Sequence, residues 1–178
     1  MNIVAIVGSS RKGSYNQLLV DYLLEKFGDQ YGIGQVEIGG LPLYSQDIEE
    51  EKFQEVEELR EAIRGARGII IATPEHNSSI PAALKNAIDW MSRVDPVLRR
   101  KPVMILGASI GSLGTVRAQA HLRQILNTGG IEALVEPANE ILVGNIQDQL
   151  EDGRLLEGPT TDYMDQRFEA FLAWMEKF

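Results

Sequence analysis

The sequence predicts a doubly wound α/β fold: a five-stranded parallel sheet in the order 2-1-3-4-5 with helices on both faces. Three observations lead there. A short apolar run followed by an amphipathic stretch recurs about five times along 178 residues. The apolar runs, such as GIIIAT at 68–73, do not alternate with polar residues, which marks strands buried on both faces. Five strands rather than six favour the 2-1-3-4-5 order, in which ligands sit beyond the carboxyl ends of the strands, at the switch point between strands one and three. With no internal repeat, low-complexity tract or linker, residues 1–178 read as one domain.

Taken in order, residues 2–7 (NIVAIV) form the first strand and 8–14 a Gly- and Ser-rich loop. Leu18, Leu19, Tyr22 and Leu23 then recur at helical spacing and predict a helix over 15–27. A weaker strand, 34–38, precedes the loop 39–48. Residues 49–65 read as a charged amphipathic helix with an apolar stripe of Phe53, Val56, Leu59 and Ile63. After the strand 68–73 comes the loop 74–79 and a helix over 80–93, with Pro81 in its first turn, where a missing N–H costs nothing. The strand 102–107 leads through the loop 108–113 to a helix over 114–128. Residues 131–135 and 140–143 read as extended, 144–159 as irregular, and 161–177 as a closing helix.

Composition narrows the chemistry. Net charge is −9, a poor match for nucleic acid, where phosphate neutralisation dominates affinity. The acidity is local: residues 47–61 carry −6 and 148–178 carry −5, so the rest of the chain is at +2 and can accept an anionic ligand. The absence of cysteine excludes disulfides, thiol nucleophiles and thiolate metal sites. His76 and His121 are too few for a His-based zinc site, and no metal is expected. The opening MNIVAIVGSS has no basic n-region and too short an apolar run for a signal peptide or a membrane span. The expectation is a cytoplasmic protein with no membrane partner.

The switch-point rule selects the loops 8–14, 74–79 and 108–113, the three richest in small and polar residues. The first reads Gly8-Ser-Ser-Arg-Lys-Gly-Ser-Tyr-Asn16. Hydroxyls, two cations and a helix N-terminus converge there, the chemistry of a phosphate cradle. Ser14 follows Gly13 where a Walker loop needs Lys, and Ser10 replaces the second Gly of a dinucleotide fingerprint. A terminal phosphate monoester fits these donors better than a bridging pyrophosphate. The second loop, Thr73-Pro-Glu-His-Asn-Ser-Ser-Ile-Pro81, is bounded by prolines and presents rigid amides suited to the edge of a planar heterocycle. His76 has no evident acid partner and is weak evidence for a general base; His121, mid-helix, reads as structural. Gly107, Gly111 and Gly114 with a Tyr22/Lys26 pair partly match short-chain dehydrogenases. Their order along the chain is reversed, and the Tyr22/Lys26 pair reads as helix surface.

The first loop, Leu41-Pro-Leu-Tyr-Ser-Gln-Asp47, the long segment Pro74-Glu-His-Asn-Ser-Ser-Ile-Pro-Ala-Ala-Leu-Lys-Asn-Ala-Ile-Asp-Trp90 and Ala108-Ser-Ile-Gly-Ser-Leu-Gly-Thr-Val-Arg-Ala-Gln119 together resemble the NADPH-dependent FMN reductase family. That family includes bacterial quinone, azo-dye and chromate reductases. The resemblance implies a flavodoxin-like fold that binds FMN non-covalently. Ser9, Arg11, Lys12, Gly13, Ser14 and Asn16 would hold its phosphate. Pro74, Glu75, His76, Asn77 and Ser78 would line the flavin ring, with Ser109 closing the other side. It implies a homodimer or homotetramer, with the Leu41–Asp47 loop near a subunit interface and the active site. Two positions depart from the family pattern: His76 stands where Tyr is common, and Gly114-Thr115 where a Gly-Gly pair is usual. Both bear on substrate preference more than on flavin binding.

The function so implied is hydride transfer from NADPH or NADH through FMN to a small-molecule acceptor of quinone, azo, flavin or metal-oxyanion type. No catalytic side chain is expected, because the cofactor carries the redox chemistry. Two rivals use the same sheet. A flavin electron carrier or flavin-dependent regulatory module would suit the acidity, but not the basic first loop. A phosphate-cleaving enzyme would need an acidic nucleophile that the first loop lacks.

Overall fold

The computed structural model describes residues 2–178. Five parallel strands form the sheet: β1 (Ile3–Val7), β2 (Ile33–Val36), β3 (Gly68–Ala72), β4 (Pro102–Ala108) and β5 (Leu134–Val143). Their order is β2-β1-β3-β4-β5, as the strand count predicted. The registers Ile3↔Gly68 and Ile69↔Val103 bring the carboxyl ends of β1, β3 and β4 level with one another.

Every residue of β1, β3 and β4 is buried, which explains why their apolar runs do not alternate. Their side chains nevertheless divide between two cores. Val4, Ile6, Ile69, Ile71, Val103 and Ile105 pack on one face beneath α2 (Gln54–Gly65), α3 (Ala82–Ser92) and α4 (Val116–Leu126). Ile3, Ala5, Ile70, Met104 and Leu106 pack on the other beneath α1 (Tyr15–Tyr31) and α5 (Pro159–Met175). α1 starts on the Ser14 cap and stops at Gly32, whose φ of 62° suits a glycine after a helix. The Tyr22/Lys26 pair on α1 meets Asp165 of α5: Tyr22 donates to Asp165 at 2.9 Å and Lys26 donates to Tyr22 at 3.0 Å and to Asp165. The pair clamps two helices together.

Three elements differ from their sequence expectation. The helix expected over 49–65 begins at Gln54, because the backbone of Phe53 is extended (φ −105°, ψ 128°) and separates it from a single 3-10 turn at Gln46–Ile48. The segments 131–135 and 140–143 belong largely to one strand, β5, broken by a bulge after Val135. Arg123 of α4 fixes that bulge, donating to the carbonyls of Glu136 and Asn139 at 2.8 and 2.7 Å. Within the irregular 144–159, β6 (Leu150–Glu151) and β7 (Arg154–Leu155) form a hairpin around Asp152-Gly153. Both turn residues have positive φ, as a two-residue hairpin turn requires.

Candidate functional site

The three loops singled out by the sequence emerge at the carboxyl edge of β1, β3 and β4. β1 delivers Gly8, whose N–H donates to the Ala72 carbonyl at 2.8 Å. A Cβ on Gly8 would lie 3.1 Å from Leu84, so glycine lets this exit pass close to α3. Gly13, at φ 69°, turns the chain into α1. Ser14 caps the helix, its Oγ accepting from the Asn16 N–H at 3.3 Å. Arg11 lies over the loop: its guanidinium donates to the Gly13 carbonyl at 2.7 Å and stands 5.4 Å from the Tyr15 ring centroid. Its N–H donates to Ser9 Oγ at 3.2 Å. Ser10, Arg11, Lys12 and Gly13 are exposed, so two cations and the positive end of a 17-residue helix face solvent together.

Asn16 has a different role from its loop neighbours. It is almost fully buried, accepts from the Ala108 N–H at 2.9 Å and donates to the Ala108 carbonyl at 3.2 Å. One side chain thus ties the first loop to the end of β4, where the third loop begins. Nothing in the local sequence signals this bond, because its partner is 92 residues away.

The second loop is a tight turn. His76 and Ser79 exchange two backbone hydrogen bonds of 2.9 Å, and Asn77 and Ser78 at the tip have φ of 50° and 62°. The N–H groups of Asn77 and Ser78 are left at the exposed tip. Glu75 turns away from it: its carboxylate accepts from the N–H groups of Arg117 and Ala118 at 2.9 and 3.2 Å and pairs with the Arg117 guanidinium at 3.3 Å. Thr115, at the cap position of α4, makes no side-chain cap, and Glu75 supplies one from another loop. Ser79 Oγ lies 2.8 Å from His121 Nδ1, a second tie to the same helix. Both His121 and His76 are exposed.

Ser109 organises the third loop, donating to the carbonyls of Gly111 and Gly114 at 3.1 and 2.8 Å. An open cleft of about 370 Å³ separates the second and third loops, with Asn77 and Ser78 on one wall and Ser109, Gly111, Leu113 and Gly114 on the other. Thr115 does not crowd this cleft. It is fully buried against Gly107, its Oγ1 accepting from Gln119 at 3.1 Å. The 39–48 loop is pinned to α3: the Pro42 carbonyl accepts from Asn86 and from the Trp90 indole at 2.9 and 2.8 Å. Trp90 and Met91 are thereby core residues with no exposed surface. Glu49 accepts from the Tyr44 hydroxyl, which holds its carboxyl below the ordinary range and raises the Tyr44 phenol.

These features define a class: a doubly wound α/β protein with a cationic, hydroxyl-rich loop at its switch point and a polar cleft beside it. The donor set fits FMN. Ser9, Ser14, Arg11 and Lys12 can serve a phosphate dianion, and Gly111 adds no side chain to the cleft wall where a planar ring would lie. Among the described residues no group of three or more His, Asp or Glu could hold a metal ion. The chain belongs to the NADPH-dependent FMN reductase family, whose profile matches residues 1–148. It is 40% identical over 177 residues to the NADH:(hydroxy)cinnamate reductase subunit CrdA of Vibrio ruber, spanning 99% of this chain and 88% of that one. It is 37% identical over 183 residues to a quinone reductase of Escherichia coli, with 99% and 96% covered. Among solved structures it superposes on FerB, a flavoenzyme NAD(P)H:(acceptor) oxidoreductase from Paracoccus denitrificans, with a TM-score of 0.87 and 28% identity over 98% of this chain and 97% of that one.

Proposed function

We propose that the protein holds FMN non-covalently across the three loops and serves as an NAD(P)H-dependent reductase of quinone, azo, flavin or metal-oxyanion acceptors. Bound there, FMN supplies a carrier that takes hydride from NAD(P)H and passes reducing equivalents to the acceptor. The observation that carries this reading is the first loop: Arg11, Lys12 and the α1 N-terminus concentrate positive charge where the switch-point rule puts a ligand. The names of two similar proteins, the NADH:(hydroxy)cinnamate reductase subunit CrdA and the NAD(P)H:(acceptor) oxidoreductase FerB, support the donor.

In this reading Arg11 and Lys12 neutralise the phosphate while Ser9, Ser14 and the Gly13 amide direct it by hydrogen bonds. Asn16 acts at one remove, holding the phosphate loop against Ala108. Pro74 and the Glu75–α4 cap stiffen the second loop, so that His76, Asn77 and Ser78 meet the ring edge without reorganising. Ser109 closes the opposite side. Because the chain needs only to bind, orient and stiffen, it requires no nucleophile or acid–base pair. We place the protein in the cytoplasm as a homodimer or homotetramer, with Leu43, the most exposed large apolar side chain among the described residues, in a loop suited to subunit contact.

FMN titration of the stripped protein, followed by quenching of flavin fluorescence, tests the assignment. Loss of a charge-assisted bond to phosphate is worth about 1.5–3 kcal/mol, so Arg11→Ala should weaken FMN roughly 10- to 150-fold. Unchanged affinity would remove Arg11 from the site.

A further inference from the structure

We propose a second anion-binding site, at the opposite pole of the sheet, formed by Arg67, Arg99, Arg100 and Lys101 with Met175 and Phe178, for a small-molecule phosphate ester that carries a planar ring. These residues line an open pocket of about 380 Å³. They sit where β3 and β4 begin, whereas the flavin loops lie where those strands end. The seven residues of β4 separate the two regions by roughly 20 Å at about 3.3 Å per residue. This inference does not rest on the flavin reading.

Charge is the first argument. Five cations gather here in a protein of net charge −9: the four lining the pocket and Arg64 beside them. Three have carboxylate partners: Arg64 with Asp95, Arg67 with Glu176, and Arg99 with Glu132. Arg100 and Lys101 have none among the described residues, which leaves two uncompensated positive charges at one concave spot. Lys101 donates two of its three protons, to the carbonyls of Arg64 and Ala66 at 2.9 and 2.6 Å, and keeps one for a ligand. Burial and the neighbouring Arg64 charge hold its ammonium below the usual lysine range, a strain that a bound anion would relieve.

Backbone and shape make the second argument. Arg100 is held at φ 59°, in the left-handed region uncommon for a side chain of this size, by an N–H bond to the Glu132 carbonyl at 2.9 Å. Its guanidinium has no hydrogen-bond partner among the described residues, so all five of its donors face the pocket or solvent. The Phe178 ring, 63% exposed and 4.8 Å from the Trp174 ring, gives one wall an aromatic face. Convergent guanidinium groups match phosphate oxygens, and the aromatic wall matches a base or similar ring. The concave shape and the acidity of the remaining surface favour a small ligand over a nucleic acid or an anionic bilayer.

Isothermal titration of the FMN-saturated protein with ADP, and separately with inorganic pyrophosphate, tests the site. Wild type should bind both, and ADP more tightly. Arg100→Gly removes the guanidinium while suiting a positive φ, and should weaken both ligands at least tenfold. Arg99→Gln provides a second variant with the same expected direction. Phe178→Ala should weaken ADP and leave pyrophosphate unchanged. FMN content should stay at the wild-type level in all three. No ADP binding at millimolar concentration would overturn the proposal. So would ADP binding that survives Arg100→Gly and Arg99→Gln, or that excess NADPH displaces equally from wild type and Arg100→Gly.

Discussion

Replacing Glu75 by alanine should loosen the second loop and the start of α4 together. The carboxylate accepts from two N–H groups of the first turn of α4, at 2.9 and 3.2 Å, and its side chain is only 16% exposed. Loss of such a cap costs about 0.5–2 kcal/mol, and loss of a negative charge at the positive end of the helix about 0.3–1 kcal/mol more. The ion pair with Arg117 adds little, because the Arg117 side chain is 59% exposed and its charge is screened. A total of about 1–2.5 kcal/mol corresponds to a fall in Tm of roughly 3–8 °C for a domain of this size. Glu75→Gln keeps an acceptor and loses the charge, so it should fall between wild type and alanine. Urea unfolding at constant m, with a parallel thermal melt, measures both variants. A Tm for Glu75→Ala within 1 °C of wild type would refute the capping role.

Three further outcomes follow from buried groups. Asn16→Ala leaves the Ala108 N–H and carbonyl without partners, which should destabilise by about 2–4 kcal/mol in urea titration; a loss under about 1 kcal/mol would mean the bond is dispensable. In Gly107→Ala the new Cβ would stand 2.0 Å from Thr115 Oγ1 and 2.4 Å from the Thr73 carbonyl, so the variant should lose about 3 kcal/mol or more, or fail to accumulate as folded protein. Burial raises the Glu136 carboxyl from 4.5. A raised folded value means that its contribution to stability is fully present below pH 4.5 and lost as pH rises through that value. Glu136→Gln should therefore gain on wild type between pH 4 and pH 7 in paired urea titrations, and a constant difference would contradict the assigned direction.

The sheet and the site were not equally legible. The strands were legible because their apolar runs carry their burial in their own composition, their order because they number five, and the first loop announced its charge in nine consecutive residues. What stayed hidden depends on residues distant in sequence. Glu75 sits in the loop expected to line the ring, yet the α4 N–H groups its carboxylate accepts from lie 42 and 43 residues on. Asn16 belongs to the expected phosphate loop, yet its side chain bonds the Ala108 backbone, 92 residues on. Tyr22 and Lys26 read as surface until Asp165 arrives from α5. The Arg99-Arg100-Lys101 run is plain in the sequence, but its meeting with Arg67 and Phe178 is made only by the fold. The Asp152-Gly153 turn was readable as a hairpin signal, yet its strands are two residues each, too short to show a period.

Anaerobic mixing of the purified protein with NADPH, followed by its absorbance spectrum, measures the proposed function most directly. The protein should be yellow as isolated or after reconstitution, and should release FMN on denaturation. Its flavin absorbance should bleach with NADPH and return when one equivalent of a quinone is added. Protein that binds no FMN, or whose bound flavin stays oxidised with both NADPH and NADH, would contradict it.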